Sequence, residues 1–188
     1  MQRLQAFFCF TMTIILACGG PKATIAPMLK EVTYRVAVLP FNSSGFLSSQ
    51  KPGTFASGEL AKMLFIKKRA VIVDPAIVNA TMVKLGLTAT SVLPLKQLRN
   101  LAKILGVQLV IVGEVRKIDA NLDAFFNQKE TRIMITLRLL DPENGTVLGI
   151  VSHEIRGKDE DEHLIMSLIE KLVDALDGLK IRDGKAKI

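Results

Sequence analysis

Residues 131–156 constrain the fold more tightly than any other stretch of the chain. From Thr131 to Asp141, Ile133, Ile135, Leu137 and Leu139 alternate with Arg132, Met134, Thr136 and Arg138. A period of two is the signature of a strand with one face in a core and the other in water. Pro142-Glu-Asn-Gly145 supplies the turn, and Thr146 to Arg156 returns as an antiparallel partner. Such a hairpin needs helices to cover its apolar face. Upstream, Gln108 to Lys117 is apolar on both faces at Leu109-Val-Ile-Val112 and alternates toward its end, so it starts inside a sheet and emerges from it.

The amino-terminal half supplies the helices. Tyr34-Arg-Val-Ala-Val-Leu-Pro40 predicts a buried first strand. Asn42 to Gly53 is rich in Ser, Gly and Pro and predicts a long loop before a helix over 54–68. Val71-Ile-Val73 is a short strand. Asp74 then caps a helix with Pro75 in its first turn, ending at Gly86. Pro94 opens a helix that places Leu95, Leu98, Leu101, Ala102 and Leu105 on one side and closes at Gly106. The last helix begins in the acidic run Asp159 to Glu162, where negative charge favours a helix start, and turns Leu164, Leu168, Ile169, Leu172, Val173 and Leu176 inward. With 188 residues, 49% of them hydrophobic, one compact domain is expected rather than two. The order β-α-β-α-α-β-β-β-α predicts a single α/β (α+β) domain with a mixed sheet of about five strands and helices packed on it.

The first residues have a different purpose. Gln2 and Arg3 precede Leu4 to Ala17, an uncharged stretch of 14 residues, too short for the roughly 20 that span a bilayer and suited to a secretory signal. Ile15-Leu16-Ala17-Cys18-Gly19 resembles the lipobox of bacterial lipoproteins, in which the signal is cut before the Cys and its thiol is acylated. On that likeness residues 1–17 are the signal peptide, Cys18 carries the lipid, 18–31 form a short tether, 32–181 the periplasmic domain and 182–188 a basic tail. Cys9 leaves with the signal, so neither a disulfide nor a free thiol is expected. Gly19 rather than Asp follows Cys18, which by the same resemblance points to the periplasmic face of the outer membrane.

The remaining chemistry is sparse. There are 25 basic and 18 acidic side chains, and the signal removes only Arg3, so the surplus is modest, scattered and, in an exported chain, no argument for nucleic acid. Lys96, Arg99 and Lys103 recur at helical spacing as one solvated face. His153 and His163 belong to no HExxH, CxxC or nucleophile-elbow pattern. Ser43-Ser-Gly45 lacks the Gly-Lys-Ser/Thr of a phosphate cradle, and Glu154, Asp161 and Glu162 are simplest as surface carboxylates. No catalytic residue, cofactor site or metal site is expected, and no enzyme activity.

Val36-Ala-Val-Leu-Pro-Phe41 with Asn42-Ser-Ser-Gly45, Val71-Ile-Val-Asp74, Leu105 to Glu114 and Asp141-Pro-Glu-Asn-Gly145 together resemble a domain of outer-membrane lipoproteins. It is the domain shared by the curli channel CsgG, the synthase activator LpoB, the export lipoprotein PelC and the amino-terminal part of TolB. The resemblance runs from about residue 34 to 179 and implies a fold rather than a chemistry. The connection Ile118 to Glu130 is too short for two strands of about 9 to 11 residues, so a membrane pore is not expected. The 12 residues Gly19 to Lys30 reach at most about 40 Å, which disfavours an activator that crosses the periplasm. The build is nearest the PelC type and implies a lipid-anchored, homo-oligomeric accessory of an envelope export or surface-structure machine. The alternatives are a regulator of a cell-wall synthase and a module that binds a solute or polymer. Phe125 and Phe126, adjacent in the Ile118–Glu130 connection, point in opposite directions if extended. At least one is expected to face outward, either with one ring packed on the sheet and the other resting on a neighbouring helix, or with the pair as an apolar contact for a neighbouring subunit, a partner or the membrane interface.

Overall fold

Backbone pairing joins the hairpin to five more strands. The structure, a computed structural model, describes residues 20, 22–25, 34–46, 51–68, 70–87, 93–120 and 130–176. In chain order its elements are β1 (Lys22–Ile25), β2 (Arg35–Val38), β3 (Asn42–Ser44), α1 (Pro52–Lys68), β4 (Val71–Ile72), α2 (Pro75–Lys84), α3 (Leu95–Leu105), β5 (Leu109–Ala120), β6 (Glu130–Leu140), β7 (Val147–Gly157) and α4 (Asp161–Ala175). One mixed sheet runs β1-β7-β6-β5-β2-β4, with β3 beside the far half of β5. Strands β5, β6, β7 and β1 pair antiparallel with one another in that order, whereas β2 and β3 pair parallel with β5 and β4 pairs parallel with β2. The α/β class and the mixed sheet are those expected.

Two strands exceed the sequence reading. Lys22–Ile25, within the stretch read as an irregular tether, pairs antiparallel with Gly149–Ser152 of β7. Asn42–Ser44, read as loop, pairs parallel with Glu114–Arg116. Both are held by main-chain bonds to a long neighbour, and segments of three or four residues are too short to show a period. β2 and β3 lie along one line of β5, broken at Pro40, which has no N–H to give. The Leu39 N–H reaches the Ile111 carbonyl at 2.9 Å, and the next donor, Phe41, is diverted to the Gly53 carbonyl at 3.3 Å. The Phe41 ring then lies against Gly113, where a Cβ would stand 2.7 Å from its carbons.

The sheet has a core on each side. Helices α1 and α4 cover one face, burying Leu60, Leu64, Ile165, Leu168, Ile169 and Leu172 against Val36, Ile111, Ile133, Ile135, Leu137 and Leu139. These are the alternating positions of β6, and their burial is the main source of stability. On the other face α2 and α3 bury Val78, Met82, Leu98 and Leu101 against Ala37, Leu39, Val110 and Val112. Helix α2 starts where the Asp74 carboxylate accepts the Ala76 N–H at 2.7 Å, and α3 ends at Gly106 in the left-handed region, φ 63°. A bulge at Leu139/Leu140 resets the hairpin beside its turn.

Candidate functional site

Because α2 and α3 reach only β2, β4 and the first half of β5, the same face continues past them uncovered by any helix among the described residues. Register assigns its rows. Glu114, Thr136, Ser152 and Lys22 lie side by side across four strands, as do Arg116, Met134 and Glu154, then Ile118, Arg132 and Arg156. Arg138 and Ile150 form a row nearer the turn. Every one of these residues is half-buried or exposed, and the apolar ones stand out, with Ile118 42% and Ile150 46% exposed.

The face is ordered by its own polar contacts. Thr136 and Ser152 hydroxyls meet at 3.0 Å, Arg116 donates to Glu114 at 2.8 Å, and the Arg132 guanidinium donates to Glu154, its Nε at 3.0 Å. The Arg132 hydrogen bond holds the Glu154 carboxyl below the usual carboxylate range, against a smaller opposing effect of burial. Among the described side chains, Arg116, Arg132, Arg138 and Arg156 share the face with the carboxylates Glu114 and Glu154, each engaged by one of the arginines. The net charge is positive. Across the sheet, the α4 acids Asp161, Glu170 and Asp174 are paired with Lys117 and Lys67.

At the end of β3 a cleft of about 460 Å³ is lined by Phe46, Lys51, Thr54, Phe55, Asp161, Glu162 and Ile165, with Pro52. The adjoining Lys117 ammonium is 2.7 Å from Asp161 Oδ2 and 5.7 Å above the centre of the Phe46 ring. Both ion-pair partners are largely buried, so this pair fastens α4 to β5. The cleft offers aromatic surface and charge for binding. His153 sits on the α4 side of β7, where burial and then the Lys171 ammonium hold its imidazole below the ordinary range; His163 is exposed in α4. Among the described residues no buried side-chain polar atom lacks a hydrogen-bond partner, and no group of three or more His, Cys, Asp or Glu could hold a metal.

Cys18, Phe125 and Phe126 lie outside the described residues. Ser43 and Ser44 are strand residues on β5, and Gly45, φ 81°, is packed so that a Cβ would meet the Lys117 carbonyl at 2.1 Å. The α3 cations are exposed as expected, Arg99 donating to the Glu143 carbonyl at 3.0 Å. The open face was missed as a unit. Its signal was present in the polar positions 132, 134, 136 and 138, which the returning polar positions 152, 154 and 156 meet only once the register is known.

The fold has counterparts among solved structures. The fold resembles that of PelC. The PelC dodecamer from Paraburkholderia phytofirmans aligns at TM-score 0.53 and 16% identity, over 84% of this chain and 98% of that one. Lipoprotein GNA1162 from Neisseria meningitidis aligns at 0.51 and 21%, over 76% and 96%. The hypothetical protein CT253 from Chlamydia trachomatis aligns at 0.50 and 13%, over 79% and 98%. No family model and no curated protein matches the chain. At these identities the shared property is the fold. No described helix is long and apolar enough to cross a membrane.

Proposed function

We propose that this chain is a lipid-anchored, non-catalytic accessory of the bacterial envelope that works as a homo-oligomer on the periplasmic face of the outer membrane. The observation that carries the reading is the near-complete overlap with PelC, a dodecamer, and with lipoprotein GNA1162, in a chain whose Ile15-Leu-Ala-Cys18 suits acylation at Cys18. The open face supports a binding role, since Glu114, Glu154 and the Thr136 and Ser152 hydroxyls there are engaged by neighbouring side chains. The export or surface-structure machine it serves would be recognised through protein surfaces, and no cofactor enters the reading.

Anchoring is tested by Cys18→Ala. Unprocessed precursor should accumulate and the mature form should vanish from outer-membrane fractions; mature-sized variant in that fraction would overturn the assignment. A regulator of a cell-wall synthase is the rival. It is disfavoured by β1, which takes Lys22–Ile25 into the sheet and shortens the free tether that a long reach would need.

A further inference from the structure

We propose that the open arginine face of β5, β6 and β7 lies on the anionic headgroups of the membrane that carries the anchor, so that the domain is docked to the bilayer and does not hang from it. The inference rests on the anchoring at Cys18 proposed above and goes beyond it.

Two observations select the bilayer as the occupant. The first is length of chain. Lys22 is held in register against Ser152, and Cys18 precedes it by four residues, which span at most about 14 Å. Neighbouring strands are about 4.8 Å apart, so that reach is about the distance from β1 to β5. A lipid attached at Cys18 therefore keeps the bilayer within the dimensions of the face itself. The second is charge complementarity. Arg132 and Arg116 neutralise Glu154 and Glu114, and Arg156 and Lys22 add positive charge on the same face. Exposed Ile118 and Ile150 lie among these groups, the mixture of cations and isolated apolar side chains that suits a headgroup layer. On the opposite side of the sheet the acids of α4 are matched by lysines, Lys67 pairing with Glu170 and Asp174 and Lys117 with Asp161, so that side carries no comparable positive surplus for the lipid phosphates. Each arginine near an anionic surface contributes about fivefold in affinity, and the attraction fades beyond a Debye length of about 8 Å at physiological salt.

The test uses the mature acylated chain carrying Ile118→Cys, or Lys171→Cys on exposed α4 as control, reconstituted in vesicles of phosphatidylcholine alone or mixed with phosphatidylglycerol. Labelling by a water-soluble maleimide should slow several-fold at position 118 only with phosphatidylglycerol, recover in high salt, and be unaffected at position 171. Adding Arg132→Gln and Arg156→Gln should restore labelling while flotation with the vesicles persists. Equal labelling at position 118 in both lipids overturns the proposal, and so does protection that appears in detergent and grows with protein concentration, which would assign the face to a second copy. Flotation reads the anchor separately. If it fails for want of acylation, the non-acylated chain added to preformed phosphatidylglycerol vesicles still decides the matter, with salt-sensitive cosedimentation supporting the face and no binding overturning it.

Discussion

At the scale of single residues, the tightest constraints are contacts that composition does not reveal. Gly113 lies in the middle of a strand that otherwise prefers branched side chains, and its reason is the Phe41 ring pressed on it. Gly113→Ala should destabilise by about 1–3 kcal/mol through overpacking, read as a lower urea midpoint with an unchanged slope. His153 makes stability depend on pH. Its folded-state pKa is depressed below the ordinary value near 6.5, so the unfolded chain takes up the proton first, and stability should fall as pH drops through that value, levelling off below the folded pKa. His153→Gln should flatten the dependence of the urea midpoint between about pH 7.5 and 5.5. Glu154, held below the carboxylate range by Arg132, loses its contribution only in more acid solution, so the two effects separate.

At the scale of elements, β6 is the spine of the sheet, because one strand presents Ile133, Ile135, Leu137 and Leu139 to the core under α1 and α4. Leu137 is fully buried, and Leu137→Ala should cost roughly 2–5 kcal/mol from lost transfer energy and the cavity left behind, measured by chemical denaturation. Alternation made this strand legible. Helix α1 was legible in position but not in orientation. Being apolar around much of its circumference, with Phe65 66% and Ile66 61% exposed, it has no polar face to point outward. β1 and β3 were illegible because their partners, rather than their own residues, make them strands.

At the scale of the molecule, one side of the sheet is finished by helices and the other only in part, which gives the domain a direction. Assembly into oligomers is the property on which the proposed role depends. If Phe125 and Phe126 form part of that contact, replacing both by Ser should abolish assembly in light scattering and membrane crosslinking and leave the thermal midpoint nearly unchanged. A large fall in the midpoint with assembly intact would place the rings in the core instead.

The hairpin, the helix caps at Asp74 and Gly106 and the inward stripes of α3 and α4 could be determined from the sequence alone. Each rests on spacing within one segment, where period and propensity act over a few residues. Only the tertiary structure decided that Lys22–Ile25 joins β7, that β2 continues into β3 past Pro40, and that arginines on separate strands meet on one uncovered face. Those outcomes depend on register between segments distant in the chain, and register is settled by main-chain pairing and by which faces the helices have already buried.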